Sequence, residues 1–158
     1  MKKVFKGVML VFFAAFLVVL GGCSKSNAED RANDDIKWQF ISPADMKKVV
    51  QTEDTSNYQI LDIQPKKDFA KGHIPGSISV PAYPVDTKEL EKLVVDAAPK
   101  FKDGKNPIYV VCPGGGGGAK RSISLLIDEG IAKSRLYIVE NGAKKWPYKD
   151  DSTVWVAD

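Results

Sequence analysis

An α/β fold is expected for this chain of 158 residues: one domain with a mostly parallel central sheet and helices on both faces. Three observations predict it. Short, continuously apolar runs such as Ile108-Tyr109-Val110-Val111 and Leu136-Tyr137-Ile138-Val139 read as strands buried on both sides. Between the strand candidates lie capped or amphipathic stretches long enough to be helices. Strands separated by helices of that size imply parallel neighbours joined by right-handed crossovers.

Taken in order, Ser42-Pro43-Ala44-Asp45 offers a capping hydroxyl, a proline at the first helical position and an acid three residues after the cap. It opens a helix to about residue 50. Residues 58–63 (YQILDI) form a strand candidate, and residues 78–80 a second, very short one. Asp86 or Thr87 caps a helix with Leu90, Leu93 and Val94 on one face, stopped near Pro99. After the 108–111 run and a run of glycines, Ile123, Leu125, Leu126 and Ile127 mark a helix, with Gly130 as its stop. The 136–139 run is the last strand. A final helical turn over 142–146 precedes a tail holding Val154, Trp155 and Val156. No internal repeat is visible. Trp38, Trp146, Trp155 and the phenylalanines read as packing rather than as a ligand stack.

The N-terminal region has a different character. Lys2, Lys3 and Lys6 precede a stretch from 8 to 20 without a polar side chain. That is the layout of a secretory signal peptide, and the stretch is shorter than the roughly 20 residues a spanning helix needs. Leu20-Gly21-Gly22-Cys23 resembles a bacterial lipobox. The resemblance implies a signal peptide over 1–22, cleavage before Cys23, a diacylglycerol on its sulfur and an acyl chain on its amine, since stable anchoring takes more than one chain. Residues 23–35 then form a polar, flexible tether, and residues 36–158 the folded domain. Ser24 stands where an Asp would resemble an inner-membrane retention signal. The expected location is therefore the bacterial cell envelope, at the outer membrane in a cell that has one.

Charge argues against one broad class of partner. The net charge of +3 comes from 23 Lys and Arg against 20 Asp and Glu. Lys2, Lys3 and Lys6 account for all of the excess, so the remainder is balanced, 20 against 20 (23 − 3 = 20). No nucleic-acid partner is expected.

Chemistry concentrates at the glycines. Cys112 ends the strongest buried-strand candidate, and Pro113-Gly114-Gly115-Gly116-Gly117-Gly118 leads directly into a helix. The C-terminal ends of parallel strands are where ligands bind. Successive glycine amides there can form an anion-binding nest backed by a helix N-terminus. The same amides would stabilise a thiolate on Cys112 and make it nucleophilic. Lys120 and Arg121 in a first helical turn oppose the macrodipole unless an anion sits there too. The other reading open at this point is an inert buried thiol followed by a glycine connector. With Cys23 lipidated, Cys112 is the only free thiol, which excludes a dithiol mechanism within one chain. One Cys and one His do not supply a zinc site, and no metal or cofactor is expected.

These residues also resemble the rhodanese domain family, in the family's order from about residue 36 to 148. Ile60-Leu61-Asp62-Ile63 is similar to its first central strand. Asp68-Phe69 with Gly72-His73-Ile74-Pro75-Gly76-Ser77 is similar to its Glu-Phe and Gly-His-Ile-Pro-Gly-Ala motif. Val110-Val111-Cys112 matches the strand and catalytic Cys, Arg121-Ser122 the Arg-Ser of the next helix, and Asn141-Gly142 with Trp146 the closing Gly-Gly and Trp. The resemblance implies a sulfurtransferase that carries sulfur as a persulfide on Cys112. It assigns His73 to a structural turn. Two departures stand out. Gln64 replaces an Arg that would pair with an acid such as Asp68. Eight residues, not four or five, separate Cys112 from Arg121, so the extra glycines either bulge outward or widen the pocket.

The function expected is an envelope-anchored sulfurtransferase. Cys112 takes sulfur from a small sulfane-sulfur donor such as thiosulfate and passes it to a thiol or cyanide acceptor. The main-chain amides of Gly114, Gly115, Gly116, Gly117, Gly118 and Ala119, with Arg121, hold the anion. The alternative is a catalytically silent module of the same fold that binds an anion or an envelope protein partner. A phosphatase or arsenate-reducing relative is a third reading, which the Cys-to-Arg spacing does not fit.

Overall fold

A computed structural model describes residues 36–158; the expected signal peptide, Cys23 and the whole of the tether lie outside the described residues. Five strands form one parallel sheet: β1 (Phe40–Ile41), β2 (Gln59–Asp62), β3 (Ser77–Ser79), β4 (Ile108–Val111) and β5 (Leu136–Val139). Their order across the sheet is β1-β5-β4-β2-β3. The most apolar runs, β4 and β5, are therefore internal, and the short β1 and β3 form the edges. The helices are α1 (Pro43–Thr52), α2 (Lys66–Lys71), α3 (Lys88–Ala97), α4 (Pro99–Lys102) and α5 (Gly117–Asp128). Among the described residues no helix is long and apolar enough to cross a membrane.

Alternation along the strands builds two cores. Leu61, Ile108, Val110, Leu136 and Ile138 point to one face, where Val94 and Ala97 of α3, Phe101 of α4 and Leu126 of α5 cover them. Ile60, Tyr109, Val111 and Val139 point to the other, against Met46 of α1 and the C-terminal residues Trp146 and Val154. Both faces are buried, which is why the central strands read as unbroken apolar runs.

The capping signals work as the sequence predicts. Ser42 Oγ accepts from the Asp45 amide at 3.1 Å, with Pro43 in the first helical turn. Thr87, rather than Asp86, caps α3 by accepting from the Leu90 amide at 3.3 Å. Gly130, at φ +90°, closes α5. Its own amide donates to the Ile127 carbonyl, and that of Ile131 to the Leu126 carbonyl, the paired pattern of a left-handed C-terminal stop.

Three differences from the sequence reading have physical reasons. The face of α3 is rotated: Leu93 is 39% exposed, whereas Glu91 is buried beside Val94 and Ala97. A periodicity read from apolar residues alone cannot anticipate a buried acid that has found a cation. Strand β1 and helices α2 and α4 were not anticipated, because elements of two to six residues carry too little pattern. The last turn, Ala143–Lys145, is a 3₁₀ helix.

The tail and the lone histidine belong together. His73 and Val156 exchange both main-chain hydrogen bonds at 2.9 Å, and the Trp155 ring packs against Gly72 where a Cβ would stand. The His73 ring stacks on Phe69 with centroids 3.8 Å apart, and its Nδ1 lies 3.0 Å from the Phe69 carbonyl. The histidine is thus held in the turn, in the place its motif implies.

Gln64, the residue that departs from the motif, is buried. Its Nε2 donates to Asp62 Oδ2 at 3.1 Å and to the Gly72 carbonyl at 3.2 Å. Asp68 instead faces Lys71 at 3.8 Å on the surface. Burial pushes Asp62 up to about 6, against the lowering effect of its hydrogen bonds from Gln64. The folded state thus holds this proton more tightly than the unfolded chain does. The cost is absent below about pH 4, grows as the pH rises to about 6 and is constant above that. Asp62→Asn should remove it. Measured by urea unfolding, the variant should gain about 2–3 kcal/mol on wild type between about pH 4 and pH 7. A pH-independent difference would refute the assignment.

Candidate active site

Cys112 is the first residue beyond β4, at the C-terminal edge of the sheet. Two main-chain hydrogen bonds fix the exit of the strand: the Cys112 carbonyl accepts from the Ala143 amide and the Pro113 carbonyl from the Lys144 amide, each at 3.0 Å. The turn after β5 is thereby laced to the loop after β4. Both turns need glycine where they meet. Gly115 has φ +68°, and a Cβ there would lie 2.6 Å from the Asn141 nitrogen. Gly142 has φ +60°, and its Cβ would overlap the Cys112 carbonyl oxygen. With that backbone, the Gly115 amide donates to Cys112 Sγ at 3.0 Å.

The glycine run divides between loop and helix. Helix α5 begins at Gly117, and the Lys120 amide donates to the Gly116 carbonyl at 3.1 Å. Of the eight residues between Cys112 and Arg121, the last four (117–120) are therefore the opening turn of α5. The extra length is taken up mainly as an added helical turn, about 3.6 residues, rather than as an outward bulge. This moves Arg121 a turn along the helix. Its guanidinium is bound by Glu91 Oε1 on α3, through Nε at 3.2 Å and through Nη2, with the two side chains only 10% and 12% exposed. Lys120 extends toward Trp38, its Nζ 5.7 Å from the ring centroid. Arg121 thus lies just beyond the first turn, paired with Glu91, and Lys120 closes that turn with its ammonium turned toward Trp38, so neither requires an anion at the helix start to explain it. The N-cap of α5 is Gly116, which has no side chain with which to cap the first amides.

A cavity of about 400 Å³ opens beside Cys112, lined by Tyr83, Pro84, Gly114, Gly116, Gly117 and Gly118 together with the cysteine. Of the residues expected to hold an anion, these four glycines line it and Gly115 bonds the sulfur. Ala119 is buried in the core under α5, and Arg121 is engaged by Glu91, so neither lines the cavity. Tyr83 and Pro84 were missed. They follow β3 at the same sheet edge, where the Tyr83 amide donates to the Ile63 carbonyl at 2.9 Å. A Cβ on Gly118 would lie 3.1 Å from the Tyr83 ring, so glycine there makes room for the tyrosine. The proline pair around Ala82-Tyr83, just after a strand, was the available signal.

Comparison with known proteins bears on this arrangement. A family model for the rhodanese-like domain matches residues 42–149. No curated protein matches the chain. Among solved structures, the rhodanese-like domain of an Anabaena sp. protein superposes with TM-score 0.57 at 19% identity, covering 75% of this chain and 79% of that one. The As–Sb reductase of Leishmania major gives TM-score 0.57 at 19% identity, covering 73% and 81%. The thiosulfate sulfurtransferase of Pseudomonas aeruginosa gives 0.52 at 15% identity, covering 72% of this chain and 18% of that one. At these identities the structural likeness is one of fold.

Proposed function

The chain belongs to the rhodanese-like domain family, and from that premise we propose that it is a sulfurtransferase that carries sulfane sulfur on Cys112. The observation that carries this reading is the juxtaposition at Cys112: the buried cysteine borders an open cavity, and its sulfur accepts a main-chain hydrogen bond from Gly115. The Cys112 thiolate attacks the outer, sulfane sulfur of a donor. A sulfur–sulfur bond forms on Cys112 as the donor's own sulfur–sulfur bond breaks, and the donor leaves as an anion. The Gly115 amide and the uncapped first turn of α5 favour negative charge at both stages. A thiolate or cyanide acceptor then takes the outer sulfur, and Cys112 returns to the thiolate. The lipid on Cys23 would hold this activity at the cell envelope; radiolabelled acyl chains should appear on the wild type and not on Cys23→Ser.

Intact mass spectrometry tests the central claim. The reduced chain, exposed in turn to thiosulfate, polysulfide and an alkyl persulfide, should gain one sulfur atom that cyanide removes, and Cys112→Ser should gain none. Absence of any gain with all three donors would reject the enzyme and leave the silent binding module.

A further inference from the structure

A second cavity, of about 200 Å³, lies where the turn after β5 meets α2 and the C-terminal tail. Trp155 lines it, together with Lys71, Lys144, Lys149 and one carboxylate, Asp68. Several lysines elsewhere on the domain have a close carboxylate partner, as Lys47 has in Asp151 and Lys92 in Asp96. Here only Lys71 meets one, Asp68, at 3.8 Å. Lys149 is held by neutral groups: its Nζ donates to the Lys144 carbonyl at 2.9 Å and lies 5.5 Å from the Trp155 ring centroid. Its position is fixed, yet no acid among the described residues answers its charge. Lys66, Lys67 and Lys145 are exposed on the same two segments and extend the basic field. Asp150 follows Lys149, and the Asp158 amide donates to the Ala70 carbonyl beside Lys71, but with these counted the lysines still outnumber the acids.

We propose that this cavity and its lysines are a docking surface for a protein partner that presents an acidic segment with an apolar side chain. The partner's carboxylates meet Lys71, Lys144 and Lys149, and the apolar group lies on the Trp155 indole. Size favours a side chain over a free ligand, since small-molecule pockets begin at roughly 300 Å³. A tryptophan within a field of one charge sign is also the pattern of an interface anchor with steering around it. Two observations favour a protein over an anionic membrane. Trp155 walls a concavity and is packed onto Gly72, whereas interfacial lipid binding buries an apolar face that projects. The described chain also enters at the other end of β5: the Gln39 side-chain amide donates to the Lys133 and Leu136 carbonyls, whereas Lys144 follows the strand. The surface adjoins the Cys112 loop, because the Lys144 amide holds the Pro113 carbonyl. Docking there needs no chemistry at Cys112 and stands apart from the sulfurtransferase reading.

The test is a lysine-reactivity footprint on the full chain held on phosphatidylcholine vesicles, read by mass spectrometry after brief acetylation. A probe peptide alternating glutamate with leucine should protect Lys71, Lys144 and Lys149 and leave Lys100 and Lys105, exposed elsewhere, as reactive as before. Its glutamine counterpart should protect none of them. Lys144→Glu/Lys149→Glu should raise the Kd of the acidic peptide about tenfold, because two attractions become repulsions. Lys100→Glu/Lys105→Glu, which makes the same change in net charge, should alter it by less than about twofold. Equal weakening by the two double variants would reduce the effect to net charge and overturn the surface. Protection of the three lysines by phosphatidylglycerol added to the vesicles, without protection by the peptide, would give them to the membrane instead. Equal protection by free glutarate at the same carboxylate concentration would make the cavity a small-anion site, and no protection by any probe would leave it without a ligand; each overturns the proposal. None of these readouts involves sulfur on Cys112, so the sulfurtransferase reading is tested separately.

Discussion

Glu91→Leu should destabilise the fold by about 3–5 kcal/mol, the effect of leaving a buried guanidinium without its counter-charge. Arg121 and Glu91 are almost wholly buried, and Arg121 Nη1 has no hydrogen-bond partner among the described residues, so nothing else takes over when the carboxylate goes. Lys88 also reaches Glu91, at 3.1 Å, but is 76% exposed and adds little. Arg121→Met alone should be costly for the converse reason. The double variant Glu91→Leu/Arg121→Met should recover to within about 1–2 kcal/mol of wild type, because two apolar side chains can fill the space between α3 and α5. Urea unfolding of the four proteins gives the coupling directly. The same set addresses function, since sulfur gain on Cys112 should persist in the double variant if Arg121 serves the α3–α5 contact rather than the anion. Additive single effects would mean the pair is not a unit.

The pair also has a pH dependence of known sign. Burial raises the Glu91 carboxyl, but hydrogen bonds and charge from Arg121 and Lys88 outweigh it and hold it below its ordinary value of 4.5. Its contribution is complete above that value and is lost as the pH falls below it. Asp62 acts in the opposite sense between about pH 4 and 6. Taken together, these two groups favour a stability maximum on the acid side of neutrality.

The second large effect lies at Gly142. Its φ of +60° and ψ of −171° form a combination almost restricted to glycine, and a side chain would overlap the Cys112 carbonyl. Gly142→Ala should cost at least about 3 kcal/mol, from strain and displacement together, and should slow sulfur gain on Cys112 because the two turns share hydrogen bonds. Gly114→Ala is the contrast. Its Cβ would meet nothing within 4 Å, and its φ lies outside the left-handed range, so its stability should stay within about 1 kcal/mol of wild type. Equal thermal shifts in the two variants would contradict the laced-turn account.

How far the sequence reached depended on the range of the interaction involved. The runs at 108–111 and 136–139 declared buried parallel strands because both of their faces are covered, a property written in each residue. Ser42-Pro43 and Gly130 declared helix ends because caps are satisfied within a few residues. Cys112 at a strand end, followed by glycines that open a helix, was legible for the same local reason. What the sequence alone left undecided was where the eight residues after Cys112 would go. The fold resolved it by extending α5 one turn, which took Arg121 to Glu91, thirty positions away in the chain, and left the cavity uncharged. The partnership of Gly115 with the 141–142 turn and the arrival of Tyr83 were likewise set by packing between segments distant in sequence. Local chemistry is written residue by residue, whereas the charge and shape of the site depend on which distant elements the sheet brings to one edge.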